Sequence, residues 1–334
     1  MVSQRAELTP QMLGYDDFDD RAQTRWLPYL MYFHRAGYRS EVINTDPLGF
    51  RQTHGPGGPV SLGGRRPKGP ARLLAGSSTA LGIGSGGDAA TLPSRLWSQY
   101  SPALPWLNVA GRSFNSAQEL LLMALYRQLL PPVERVVMFS GLNNLALARL
   151  PEAQRGDSGG FFNCGEYFEQ MEELRARHRR KPGFTRRAER RTPPPPEPVR
   201  PLDVRIAEAV DLTVRHLEGW RRLVGAPITF VLQPLATWVR EEHAPQERLL
   251  FAELDERSNF WELYGDIATR SAGRAYAEAL SAACEKAGFG FLDVNPPLAD
   301  AVETADWLFV DRAHFTDHGH DVVARVLAEQ LDLT

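Results

Sequence analysis

Five short apolar runs, separated by longer stretches of helical periodicity, limit what this chain can become. They are ARLLAG (71–76), PWLNVAG (105–111), RVVMFSG (135–141), PITFVLQ (227–233) and GFGFLDV (288–294). A near-continuous apolar run of this length reads as a strand buried on both faces, and strands that alternate with helices imply crossover connections. The pattern therefore predicts a parallel sheet. Three of the runs end in glycine, which suits a tight turn from strand into helix at the carboxyl edge of the sheet. Between them, NSAQELLLMALYRQLL (115–130) reads as a helix with Leu120, Met123, Ala124 and Leu130 on one stripe. RAYAEALSAACEKAG (274–288) is closed by Gly288, and DHGHDVVARVLAEQL follows Thr316 as N-cap with Val322, Val323, Val326 and Leu327 inward. The expected fold class is α/β, a doubly wound parallel five-stranded sheet.

Other segments interrupt the alternation. Residues 1–70 form an N-terminal extension expected to pack on the core, ending in the glycine- and proline-rich GPGGPVSLGGRRPKGP. The domain proper is expected over 71–334, with an Arg/Pro-rich insertion at about 150–205 and a helical, aromatic-rich cap at about 236–270. Between 175 and 201, nine Arg and one Lys face two Glu, with four consecutive prolines at 193–196. Such a run reads as exposed and partly disordered, either a solvated surface or a docking site for RNA or a carrier protein. The formal net charge of −3 over 334 residues predicts no global attraction to nucleic acid or anionic membrane. Cys164 and Cys284 have no metal-ligand spacing and read as a loop thiol and a buried helix thiol. The N-terminus lacks the charged and apolar regions of a leader, and no run approaches the roughly 18 apolar residues of a membrane span. A soluble cytoplasmic protein is the expectation, with no membrane partner and no cofactor.

The chemistry turns on RLLAGSSTALGIGSGGDAATLPSRL, residues 72–96. Gly82, Gly84 and Gly87 match GxGxxG, yet a dinucleotide fingerprint needs its first glycine at the strand end, and that place belongs to Gly76. The acid expected about 20 residues on, at the end of the second strand, is also absent, because that strand ends LNVAG. A phosphate loop is therefore set aside. Ser78, just past the strand, reads instead as a nucleophile, which requires a base elsewhere. DRAHFTDHGH supplies Asp311 three residues before His314, a spacing that lets the carboxylate hold one imidazole nitrogen while the other faces the serine. The backbone N–H groups of Gly111 and Ser78 and the side-chain amide of Asn143 are the expected oxyanion donors, all at carboxyl ends of strands. Asn144 is the competing amide. His318 and His320 form a His-x-His flanked by Asp317 and Asp321, and are read as a solvated helix N-terminus rather than a metal site.

A serine in the first block, Gly111 in the second, Asn143 in a G-x-N block and a C-terminal D-x-x-H resemble the SGNH (GDSL-type) hydrolase superfamily. The resemblance covers about residues 70–145 and 225–332 and implies a flavodoxin-like five-stranded core. It further implies Ser78 as nucleophile, His314 as base, Asp311 as its orienter and Ser78, Gly111 and Asn143 as the oxyanion hole. More narrowly, NTDPLGFR, GSSTALG, NSAQELLL and FSGLNN resemble bacterial inducer-of-phenazine-like proteins of secondary metabolism. Ser77 and Asn144 stand where the superfamily carries acids outside the triad, which leaves the chemistry intact and the usual lipase or esterase specificity open. The expected activity is hydrolysis or transfer of an acyl group from an ester or thioester, with an acyl carrier protein or aminoacyl-tRNA donor read from the basic segment at 175–200. A catalytically silent sensor of an acylated metabolite is the alternative.

Overall fold

A computed structural model describes residues 3–20, 24–150, 155, 161–162, 164–178, 199–258 and 260–333. The N-terminal segment forms α1 (Gln4–Leu8), α2 (Met12–Phe18) and a hairpin of β1 (Arg25–Leu27) and β2 (Met31–Phe33). All five apolar runs then become strands: β3 (Ala71–Gly76), β4 (Trp106–Asn108), β5 (Val133–Ser140), β6 (Ile228–Leu232) and β7 (Gly290–Asp293). They pair in parallel in the order β4-β3-β5-β6-β7. The winding reverses between β3 and β5, the crevice where a doubly wound sheet of this order places its ligand. Every residue of β3 is buried, as a central strand covered on both faces requires.

Short helices leave the sheet's carboxyl edge: α3 (Ser78–Leu81) after β3, α4 (Leu92–Arg95) further on, α5 (Ser116–Tyr126) after β4 and α6 (Leu142–Leu147) after β5. Gly76 allows the first of these turns, because a Cβ there would lie 2.0 Å from the Phe139 carbonyl oxygen and its φ is +146°. A capping box between Asn115 and Gln118 starts α5. Its buried face differs from the expected stripe: Glu119, Leu122 and Met123 are buried and Ala124 is exposed. Glu119 can point inward because its carboxyl is pushed up to about 8 by burial and accepts from Ser140 Oγ at 2.6 Å.

Beyond these lie α7 (Cys164–His178) and α8 (Leu202–Val224). Cys164 opens α7 rather than sitting in a loop, while Cys284 is buried as expected. Most of the basic stretch, 179–198, lies outside the described residues. The segment expected as a cap forms α9 (Ala236–Val239), α10 (Pro245–Arg257) and α11 (Phe260–Leu263). It is followed by α12 (Arg270–Ala287), α13 (Asn295–Asp300) and α14 (Asp317–Gln330). Helix α12 ends at Gly288 with φ +73°, and Thr316 caps α14 by accepting from Gly319 N–H at 3.0 Å. Helices α5, α8 and α12 pack in one group and α4, α13 and α14 in another. Among the described residues no helix is long and apolar enough to cross a membrane.

Residues from the extension share the hydrophobic core with the sheet. Arg51, fully buried, donates to Asp88 Oδ1 at 2.8 Å, to the carbonyls of Leu81, Gly82 and Val42, and to Ser85 Oγ. Tyr15 Oη donates to the Gly82 and Ser85 carbonyls. Two glycines of the GxGxxG match, Gly82 and Gly84, serve close packing. A Cβ on Gly84 would come within 2.4 Å of the Phe315 carbonyl oxygen, and one on Gly82 would meet Thr91 and Arg51. Asp88 is the buried partner of Arg51 and Asn44.

Candidate active site

Strand β3 delivers Ser78 to the first turn of α3, and the loop before α14 delivers Asp311 and His314. The structure brings the three together. His314 Nε2 lies 2.7 Å from Ser78 Oγ, and His314 Nδ1 lies 2.7 Å from Asp311 Oδ2. The other oxygen, Asp311 Oδ1, accepts from the backbone N–H groups of Ala313 at 2.8 Å and His314 at 2.9 Å. Those bonds fix the tight turn that the three-residue spacing implied. An ionised Asp311 has no proton to give, so Nδ1 carries the hydrogen and Nε2 is left to accept from the serine.

The electrostatics agree. Burial alone would raise Asp311, but the charge and hydrogen bond of His314 and the two N–H groups hold it below the usual carboxylate range. Burial alone would lower His314, but the Asp311 carboxylate beside it, and the more distant Asp19, carry it above its ordinary value. Asp19 caps α2 and pairs with Arg112 at 2.9 Å.

A second set of side chains holds the triad's backbone. Ser77 Oγ donates to Gln233 Oε1 at 2.9 Å, Gln233 Nε2 donates to Thr79 Oγ1 at 3.0 Å, and Thr79 Oγ1 donates to the Ala313 carbonyl at 3.0 Å. The nucleophile turn is thus tied through the end of β6 to the loop of the base. Sequence reasoning missed Gln233 and Thr79, though a glutamine closing the apolar run PITFVLQ was the available signal. Arg312, between Asp311 and the base in sequence, is gripped by side chains of α10 and α11. It pairs with Asp255 at 2.6 and 2.8 Å and lies over the rings of Phe251, Phe260 and Trp261.

The expected oxyanion donors fare unequally. Ser78 N–H stands in the first turn of α3, where an amide has no partner within the helix. Asn143 Nδ2 donates one hydrogen to the Phe114 carbonyl at 2.7 Å and keeps a second. That bond joins the loop after β4 to the start of α6 after β5, and so crosses the end of β3 between them. Asn144 is saturated: its amide donates to Ser116 Oγ and Thr213 Oγ1 and accepts from Ser116 N–H. Gly111 requires correction, because its N–H donates to the Gly76 carbonyl at 3.0 Å as an extension of the sheet ladder. Glycine is needed there for space, since a Cβ would lie 2.2 Å from the Phe114 ring. The reading of His318 and His320 is corrected in part. His318 is exposed and lies 3.7 Å from Asp306, but His320 is fully buried against Phe315, and burial pushes it down to about 3. Among the described residues no group of three or more His, Cys, Asp or Glu side chains gathers as a metal site would require.

No protein-family model matches the chain, and no curated protein matches it. Solved structures resemble it in fold. A member of the lipolytic G-D-S-L family from Veillonella parvula is 10% identical with a TM-score of 0.46, over 78% of this chain and 97% of that one. An extracellular lipase from Streptomyces rimosus is 13% identical with a TM-score of 0.42, over 78% of this chain and 99% of that one. A salicylyl-acyltransferase from a tetracycline biosynthetic pathway is 11% identical with a TM-score of 0.43, over 80% of this chain and 55% of that one. Likeness at this level carries nothing about the reaction, which rests on the site alone.

Proposed function

We propose that this chain is a serine acyl hydrolase or acyltransferase of SGNH type, acting on an ester or thioester through an acyl-enzyme on Ser78. The observation that carries the proposal is the unbroken 2.7 Å relay from Asp311 through His314 to Ser78. Ser78 Oγ attacks the carbonyl carbon as its proton passes to His314 Nε2. The oxyanion is met by Ser78 N–H and the second hydrogen of Asn143 Nδ2. Collapse expels the alcohol or thiol, which takes the proton from His314 and leaves the acyl group on Ser78. Water or a second nucleophile then gives its proton to His314 and attacks the acyl carbon, and Ser78 Oγ leaves taking that proton back from His314 Nε2. Hydrolysis and transfer share all these residues.

Intact-mass measurement on protein mixed with p-nitrophenyl acetate or an acyl thioester tests the reading. The expected result is a mass gain of one acyl group on the wild type and none on Ser78→Ala; no adduct and no released leaving group would overturn it. An added amine or alcohol that captures the acyl group faster than water marks a transferase. Asn143→Ala is expected to lower kcat by about 100-fold to 1,000-fold with KM little changed, as steady-state kinetics will show.

The raised His314 fixes the sign of the pH dependence. Catalysis needs the neutral imidazole, so kcat/KM should climb with pH to a midpoint above the ordinary histidine value of about 6.5. The stability that His314 draws from Asp311 runs the other way, complete below about 6.5 and lost as pH rises through the raised folded value. Asp19→Asn removes one of the charges that raise His314 and should move the kcat/KM midpoint down, which a pH-rate profile measures.

The narrower resemblance and the positive charge at 175–200 support a place in specialised metabolism and a donor carried by an acyl carrier protein or tRNA. Arg200 is not free for such docking, because it pairs with Glu208 and donates to the Ala148 carbonyl. Deleting 179–198 should therefore weaken donor binding and flatten its salt dependence; unchanged donor KM at every salt concentration would remove this part of the proposal.

A further inference from the structure

The loop after β4, residues 111–114, is tied to the end of β3 that leads to the nucleophile, and its four backbone N–H groups have different fates. Gly111 donates to the Gly76 carbonyl at 3.0 Å, and Phe114 donates back to the Gly111 carbonyl at 3.3 Å. Arg112 donates to the imidazole Nε2 of His34 at 3.0 Å. Ser113 N–H has no acceptor among the described residues. Ser113 also has φ +57°, a left-handed conformation uncommon outside glycine and asparagine, which persists where surrounding structure imposes it.

The imposing structure comes from the N-terminal extension. His34 is buried, its Nδ1 lies 3.0 Å from the Gly49 carbonyl, and its ring stacks on Phe33 at 4.4 Å between centroids. A carbonyl can only accept, so Nδ1 carries the hydrogen and Nε2 is an acceptor, matching the Arg112 N–H it receives. Burial pushes the imidazole down to about 3, so this tautomer is held through neutral pH. On the other side of the same loop, Tyr32 Oη donates to the Ser113 carbonyl at 3.2 Å. The peptide between Arg112 and Ser113 is therefore held from both flanks, and it carries the unengaged N–H. The loop begins at Gly111, bonded to the Gly76 carbonyl two residues before Ser78, and ends at the Phe114 carbonyl that takes Asn143.

We propose that His34 is a positioning residue of the active site: by accepting Arg112 N–H it sets the 111–114 loop so that Ser113 N–H faces the oxyanion beside Ser78 N–H and Asn143. On this account the N-terminal extension is part of the catalytic apparatus, and the donor that sequence assigned to Gly111 lies two residues on. The inference rests on the serine mechanism proposed above.

Two substitutions separate the roles of the ring. In His34→Asn the amide nitrogen falls near Nδ1, so the bond to Gly49 survives and the acceptor for Arg112 is lost. In His34→Gln the terminal oxygen falls near Nε2, so that acceptor survives and the bond to Gly49 is lost. The readouts are the rate at which a fluorophosphonate modifies Ser78, followed by intact mass, and the Tm of each variant. His34→Asn should slow modification by tens to about 100-fold, the scale of an ångström-sized misplacement, while His34→Gln keeps most of the rate. A merely structural histidine would lower Tm in both variants and leave the two rates equal, and that result overturns the proposal. Wild type and His34→Asn labelling equally fast would remove the positioning role and leave the serine mechanism standing. Absence of labelling in the wild type would remove both.

Discussion

Replacing Ser78 by alanine is expected to lower turnover of an activated ester by about 10⁴-fold to 10⁶-fold while leaving the urea midpoint of unfolding where it was. The hydroxyl accounts for one side-chain hydrogen bond, to His314, so its loss costs the fold little and the reaction its nucleophile. His314→Ala should fall as far, and the double variant scarcely further, because nucleophile and base act as a unit. Asp311→Asn is expected to cost about 10⁴-fold by a different route. Its amide nitrogen, facing Nδ1, would favour the tautomer with hydrogen on Nε2, which cannot accept the serine proton. Steady-state kinetics on the four variants, paired with urea melts, decide between loss of chemistry and loss of structure.

Arg51→Ala is the largest expected effect on stability, about 3–5 kcal/mol. Arg51 and Asp88 have side-chain exposures of 0% and 3%, so truncating the arginine leaves a carboxylate buried without its charge partner and the Val42 carbonyl without its donor, while the Leu81 and Gly82 carbonyls each lose one of theirs. Lysine should not rescue it, since one ammonium cannot reproduce the planar fork that spans Asp88, Gly82 and Val42. The measurement is the shift in urea midpoint at constant m. Two of the carbonyls that the guanidinium holds, Leu81 and Gly82, belong to the end of α3, so the rate of Ser78 modification should fall along with stability.

The sheet could be read from the sequence because strands buried on both faces must be apolar along most of their length, as the five runs are, although the edge strand β7 is only half-buried. The triad could be read because its parts are short-range: Ser78 sits two residues past Gly76, and Asp311 and His314 share one turn. What escaped depends on contacts far apart in the chain. Nothing local ties Arg51 to Asp88, Ser77 to Gln233, or His34 to Arg112. Gly111 misled for a physical reason, since a glycine after a strand reads as a donor turn, whereas here it makes room for the Phe114 ring. Ser113 carries no signal, because a left-handed serine is imposed by its neighbours rather than by its own preference. His320 and Glu119 show a related limit: each is a titratable side chain on the buried face of its helix, and burial holds each in its neutral form.

The central claim is that Ser78 is a nucleophile activated by His314. Its most direct test is intact-mass and peptide mapping after treatment with a fluorophosphonate at neutral pH. The account predicts one adduct per chain, on Ser78, absent from Ser78→Ala and His314→Ala while both variants unfold at the wild-type urea concentration. An unlabelled wild type, or an adduct that persists in Ser78→Ala, would contradict it.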